Sequence, residues 1–110
     1  MNRAFPGNNV DEIPQRLQAV LWSSDVRKLD LERDKAYIIH QILSYGDMDE
    51  ILWVFRTYKL SEIIKTFTTI PFKDYRKARF YFIKNILLHL ENRHMNELLY
   101  VKNIPRDIRS

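Results

Sequence analysis

The 110-residue chain has no cysteine. That excludes a disulfide scaffold and cysteine-bound zinc, and it fits a reducing, cytoplasmic setting. Glycine and proline are scarce, at two and four residues. Two glycines cannot build a phosphate-cradling loop, and so few breakers leave long stretches free to be helical. No apolar run approaches the ~20 residues that a membrane-spanning helix needs. The opening, MNRAFPGNNVDEIP, lacks the apolar stretch of a signal peptide, and residues 1–12 read as a flexible lead-in.

What is present points to a folded chain. Apolar residues make up 45% and aromatics 13%, which suits a globular domain rather than a disordered tail. A chain of this length buries roughly two-thirds of its extended surface, enough for one core. The net charge of +4 is uneven. Residues 17–60 carry six basic and seven acidic side chains, whereas residues 61–110 carry ten and five. The second half therefore suits an anionic partner, either nucleic acid or an acidic protein face.

The apolar spacing predicts an all-α fold, a compact orthogonal bundle of about five helices with a helix-turn-helix-like centre. A helical domain would span 13–90 and a helical tail 91–110. Pro14 suits the first turn of a helix running to Trp22, with Ser23, Ser24 and Asp25 breaking it. Asp30 is the expected N-cap of a second helix to Tyr45, with Ile38, Ile39, Ile42 and Leu43 inward and Arg33, Tyr37, His40, Gln41 and Ser44 outward. Gly46 suits the left-handed conformation at its end. Asp47 and Glu50 have the spacing of a capping box, and Ile51–Phe55 (ILWVF) predicts a central, largely buried helix. Ser61 would cap a fourth helix to Thr68, with Leu60, Ile63, Ile64 and Phe67 inward and Glu62, Lys65, Thr66 and Thr69 outward. A longer helix is expected over Phe72–Leu90, with Tyr75, Phe82, Ile83, Ile86 and Leu90 on its apolar face. The remainder, around MNELLYVKNI, reads as a separate short helix or a kinked continuation, and it is apolar for a terminus.

The order of residues over about 20–68 carries a resemblance. Leu21-Trp22, Lys28-Leu29-Asp30, Ile38-Ile39, Tyr45-Gly46-Asp47, Trp53 and Arg56-Thr57-Tyr58 together resemble a family of small uncharacterised bacterial and archaeal proteins. Genes of that family often lie beside nucleotidyltransferases similar to abortive-infection toxins. The resemblance thus implies an antitoxin-like or adaptor role, with a nucleotidyltransferase-like toxin as partner. Where the family has glycine after Arg-Thr-Tyr, this chain has Lys59. Glycine there would ease a tight turn.

Residues 45–67 have helix-turn-helix spacing. A DNA reader needs polar or basic side chains on its second helix. Ser61, Glu62, Lys65, Thr66 and Thr68 supply one cation, and Glu62 repels phosphate. A helical hairpin supporting the core is the simpler account. A stronger candidate surface is the basic row Lys73, Arg76, Lys77 and Lys84 with Arg79 beside it. It would meet an acidic protein or, with Tyr75, Phe80 and Tyr81 stacking, nucleic acid. A solvated helix face with core aromatics behind it explains the same row. The tail residues Leu98, Leu99 and Tyr100 pack either on their own domain or on a partner. Both tryptophans, Trp22 and Trp53, read as core.

His89 and His94 are five residues apart and share no helical face, so no metal site is expected. Asp47, Asp49 and Glu50 resemble a nuclease's carboxylate cluster, but capping explains them. No nucleophilic triad is arguable. The sequence therefore favours a non-enzymatic, cofactor-free interaction module in the cytoplasm, antitoxin-like and capable of forming a homo-oligomer. The alternative is a helix-turn-helix-like DNA-binding transcriptional regulator.

Overall fold

The computed structural model describes residues 13–102, so the lead-in at 1–12 and the end of the tail at 103–110 lie outside the described residues. The fold is all-α. Among the described residues there are four α-helices, with two 3-10 helices before them and a π-helical stretch and one 3-10 helix after them, and the sole ladder contact is an isolated parallel bridge between Tyr75 and Val101. The chain divides into two units, one ending at Ile70 and one starting at Pro71.

The first unit opens with a 3-10 helix, Gln15–Ala19, in place of the longer helix expected to Trp22. Gln18 holds the chain in this tight path. Its Nε2 donates to the carbonyls of Leu21 (3.0 Å) and Ser24 (2.7 Å), and its Oε1 accepts from the Val26 amide (3.1 Å). Leu17, Val20, Leu21 and Val26 are thereby turned into the core. Trp22 is not: it is 56% exposed and packs edge-on against Tyr45, with ring centroids 4.7 Å apart. Trp53 is half-buried.

Helix α1 (Lys35–Tyr45) starts later than the cap at Asp30 predicts. Asp30 does accept from the amides of Glu32 and Arg33, both at 2.8 Å. Asp34 then reaches back to the Asp30 amide (2.8 Å) and holds the Arg33 guanidinium (2.7 Å). These local bonds keep residues 31–34 as a turn, because short polar side chains compete with the helical ladder. The helix is buried without a gap from Ile38 to Ser44. His40, Gln41 and Ser44, expected outward, are inside. Each reaches a backbone carbonyl: His40 Nε2 lies 2.6 Å from Ile70 O, Gln41 Nε2 donates to Val20 O (3.0 Å), and Ser44 Oγ donates to His40 O (2.7 Å). A satisfied polar group costs little to bury.

Helix α2 (Met48–Thr57) carries the expected capping box, with Asp47 accepting from the Glu50 amide and Glu50 accepting from the Asp47 amide, both at 2.9 Å. It is not the central helix. Ile51 and Val54 are buried, whereas Met48 and Leu52 are 51% and 45% exposed. The central place belongs to α1, which packs against both α2 and α3 (Leu60–Thr69). Helix α3 buries Ile63, Thr66 and Phe67. Thr66 was expected outward and Leu60 inward; Leu60 is 52% exposed. Ser61 does not cap this helix. Its cap is Lys59, at φ −69° and ψ 148°, an ordinary extended conformation that needs no glycine. Glu62 accepts from the Lys59 amide (3.1 Å). Tyr58, just before it, is buried and donates its hydroxyl to Leu31 O (2.8 Å).

In the second unit the expected helix over Phe72–Leu90 is shorter. Helix α4 covers Lys77–Tyr81 and continues as a π-helical stretch, Phe82–Leu87. The turn before it cannot be helical, because Tyr75 is already paired. Its amide donates to Tyr100 O (3.0 Å), and its carbonyl accepts from the Lys102 amide (2.9 Å). Tyr75, Phe80 and Tyr100 form an aromatic core, with Tyr100 at 6.3 Å from Tyr75 and 5.1 Å from Phe80 by ring centroid. The wider π turn rotates the later positions, so Ile86, expected on the apolar face, is 59% exposed. His89, at φ 53°, takes the left-handed conformation that closes the helix.

Candidate functional site

The second unit gathers most of the residues singled out in the sequence. Its described part, 71–102, carries seven basic and three acidic side chains, whereas 13–70 carries eight of each. The pairing of Tyr75 with the segment ending at Lys102 is what brings two distant stretches together. Glu97 reinforces it: its Oε1 accepts from the Tyr81 hydroxyl (2.6 Å) and its Oε2 lies 3.9 Å from Lys77 Nζ. Lys102 Nζ adds a 3.1 Å ion pair to Asp74.

Lys73, Arg76 and Lys77 are exposed at the start of α4, and Arg79 is half-buried. Leu98 and Leu99, next to Glu97 in the docked segment, are 67% and 48% exposed. The tail therefore does two things. Tyr100 packs on its own unit, at 2% exposure, and the two leucines before it face solvent. A 3-10 turn, Glu97–Leu99, sets this orientation, with Asn96 Oδ1 accepting from the Leu98 amide (3.0 Å).

Lys84 lies apart from the exposed cations. It is buried, and its ammonium donates to Leu90 O (2.8 Å) and to Asn85 Oδ1 (3.2 Å). Tyr75 and Phe80 are fully buried and cannot stack on a base. Tyr81 is half-buried with its hydroxyl held by Glu97, and that carboxylate raises the phenol above its ordinary pKa.

Two features escaped sequence reasoning. Glu97 joins α4 to the tail, and nothing in its neighbourhood marks it. The second is the exposed pair Met48 and Leu52, four residues apart on α2, of which Leu52 lies in the Ile51–Phe55 run expected to be largely buried. In the first unit, Asp30, Glu32, Asp34 and Glu62 surround Tyr58, whose phenol is raised by burial and then by these carboxylates. Lys35 answers them, at 3.6 Å from Glu32 and 3.4 Å from Glu62.

Residues 17–67 match a family of unknown function, DUF6922. The matched segment lies within the first unit and ends just before its boundary at Ile70. It agrees with the resemblance to an uncharacterised family over about the same span. The cationic and leucine-bearing surface lies outside it. No curated protein and no solved structure matches the chain.

Proposed function

We propose that this chain is a protein-interaction module that docks on an acidic, partly apolar surface of a partner. The contacts are Lys73, Arg76 and Lys77 with Leu98 and Leu99. The observation that carries the reading is the exposed leucine pair, anchored by Tyr100 and set beside a cationic helix start. Apolar side chains ringed by charge are the usual anatomy of a docking patch. The resemblance over residues 20–68 names the partner class, a nucleotidyltransferase-like toxin that the module restrains as an antitoxin does in the cytoplasm. No helix among the described residues is long and apolar enough to cross a membrane.

Co-expression with the product of the neighbouring gene tests this. The two chains should co-purify, and the module should relieve the partner's toxicity. Replacing both Leu98 and Leu99 with Asp should abolish both effects, while Leu52→Asp, at an exposed leucine on α2, leaves them intact. Failure to co-purify with the wild-type chain would end the proposal.

The exposed cations also keep the DNA-regulator reading alive. Helices α2 and α3, joined through Tyr58 and Lys59, are its helix-turn-helix-like element. The second helix offers exposed Ser61 and Lys65, but Thr66 is buried and Glu62 is engaged by Lys35 and the Lys59 amide. Duplex DNA titrated at two salt concentrations separates the readings, because phosphate binding has a steep salt slope. A slope that vanishes with Arg76→Glu and Lys77→Glu would favour the regulator.

A further inference from the structure

The second unit holds an open cavity of about 490 Å³, lined in part by Tyr81, Lys84, Glu91, Arg93, His94 and Glu97. Ligand sites typically run from roughly 300 to 1,000 Å³. Its most unusual wall is Lys84, which is only 6% exposed.

A buried ammonium is costly unless a negative charge offsets it. Elsewhere the chain follows that rule: Lys35, less buried, sits between the carboxylates of Glu32 and Glu62. Among the described residues Lys84 has no such partner. Its two contacts, Leu90 O and Asn85 Oδ1, are neutral. An ammonium has three N–H donors, so one remains for a further acceptor. The nearby carboxylates do not supply it. Glu97 is engaged by Tyr81 and Lys77, and Glu91 is exposed and forms no ion pair with Lys84. The cavity thus has a buried, uncompensated cation in its wall and a second cation, Arg93, exposed at its edge.

The position is also tied at both its backbone and its side chain. Leu90 donates its amide to Lys84 O (2.8 Å) while Lys84 Nζ donates to Leu90 O (2.8 Å), a reciprocal pair across the helix end. The left-handed His89 makes this closure possible. A preorganised cation loses little freedom when an anion arrives.

We infer that this cavity binds a small phosphorylated ligand, with a phosphate oxygen accepting from the Lys84 ammonium and Arg93 assisting from the edge. Charge-assisted bonds of this kind are the strong ones. The volume exceeds that of phosphate alone and leaves room for an attached organic group. This site adjoins the leucine-bearing docking surface at Glu97 but shares none of the proposed docking residues.

The test is an amide-resolved NMR titration of the full chain with inorganic phosphate and, separately, with adenosine monophosphate, against chloride at equal ionic strength. Saturable shifts clustered at Lys84, Arg93 and His94 are expected with both phosphate probes and not with chloride. Tighter binding of the nucleotide would assign the remaining volume to an organic group, and equal binding would assign the site to the phosphate moiety. Lys84→Met keeps the aliphatic stem and should weaken binding at least tenfold, while Lys28→Met, at an exposed lysine of the first unit outside the cavity lining, leaves it unchanged. If Lys84→Met does not fold, Arg93→Gln is read instead, with a several-fold loss expected. Absence of saturable shifts in the wild-type chain would overturn the inference. So would equal losses in the Lys84 and Lys28 variants, or unchanged binding in Arg93→Gln.

Discussion

At position 40 an imidazole occupies a fully buried place on α1. Its Nε2 lies 2.6 Å from Ile70 O, which accepts only if that nitrogen carries the proton, and this fixes the neutral tautomer. Burial holds the His40 pKa down at about 4, against an ordinary 6.5, and the backbone bonds at Ile70 and Thr66 offset only part of that effect. The unfolded chain therefore takes up a proton near pH 6.5 that the folded chain refuses until about pH 4. Stability from this residue is complete above pH 6.5 and drains away as the pH falls through that window. At roughly 1.4 kcal/mol per pH unit, about 2 kcal/mol should be lost between pH 6.5 and 5. The carboxylates whose pKa values are depressed, Asp25, Asp30, Asp34 and Glu62, add their own losses only at lower pH. Urea midpoints at pH 7, 6 and 5 should fall steadily for the wild-type chain and stay nearly level for His40→Gln. Parallel slopes in the two proteins would place the titrating group elsewhere.

Between α1 and α2 the chain turns through two residues, and the first of them is Gly46. It was expected to be left-handed, yet it sits at φ −74° and ψ 159°, which any residue adopts. Glycine is needed there for room. A Cβ would meet Ile42 O at 2.7 Å, Ile42 Cγ2 at 2.9 Å and Glu50 Cβ at 3.2 Å. One of those clashes is with backbone, so the helix end itself has to move. Gly46→Ala should cost about 1–3 kcal/mol in thermal or urea unfolding, the range for overpacking a tight site. A variant as stable as the parent would show that the junction yields freely. The capping box beside it was legible, because Asp47 and Glu50 satisfy a strictly local geometry. The identity of the central helix was not. Periodicity scores His40, Gln41 and Ser44 as surface, since it cannot see carbonyls at Val20 and Ile70 that accept from them. The helix over Phe72–Leu90 failed for a related reason. Tyr75 has a good helical neighbourhood, but its amide and carbonyl are claimed by Tyr100 and Lys102. That pairing spans some 25 positions and leaves no local trace. In the candidate site, charge and an apolar terminus pointed to Lys73, Arg76, Lys77, Leu98 and Leu99, all of which are exposed. They did not reveal the burial of Lys84, which depends on the π turn and the closure at His89.

Across the whole chain the charge is partitioned by unit, balanced over 13–70 and in excess by four cations over 71–102. The family match is confined to the balanced part, and the proposed docking residues all lie in the cationic part. Charge and apolar contact leave different kinetic marks. Exposed cations steer the approach of an acidic partner and act on the association rate, which salt screens over about 8 Å at physiological ionic strength. Buried apolar anchors act mainly on dissociation. For the co-purifying partner, Arg76→Glu should slow association several-fold at low salt and much less at 0.5 M salt. Leu98→Ala should leave association nearly unchanged and speed dissociation several-fold at both. Surface plasmon resonance on the full chains reads both rates at once. If Arg76→Glu changed dissociation alone, with no salt dependence, the arginine would be a direct anchor and the steering account would fail.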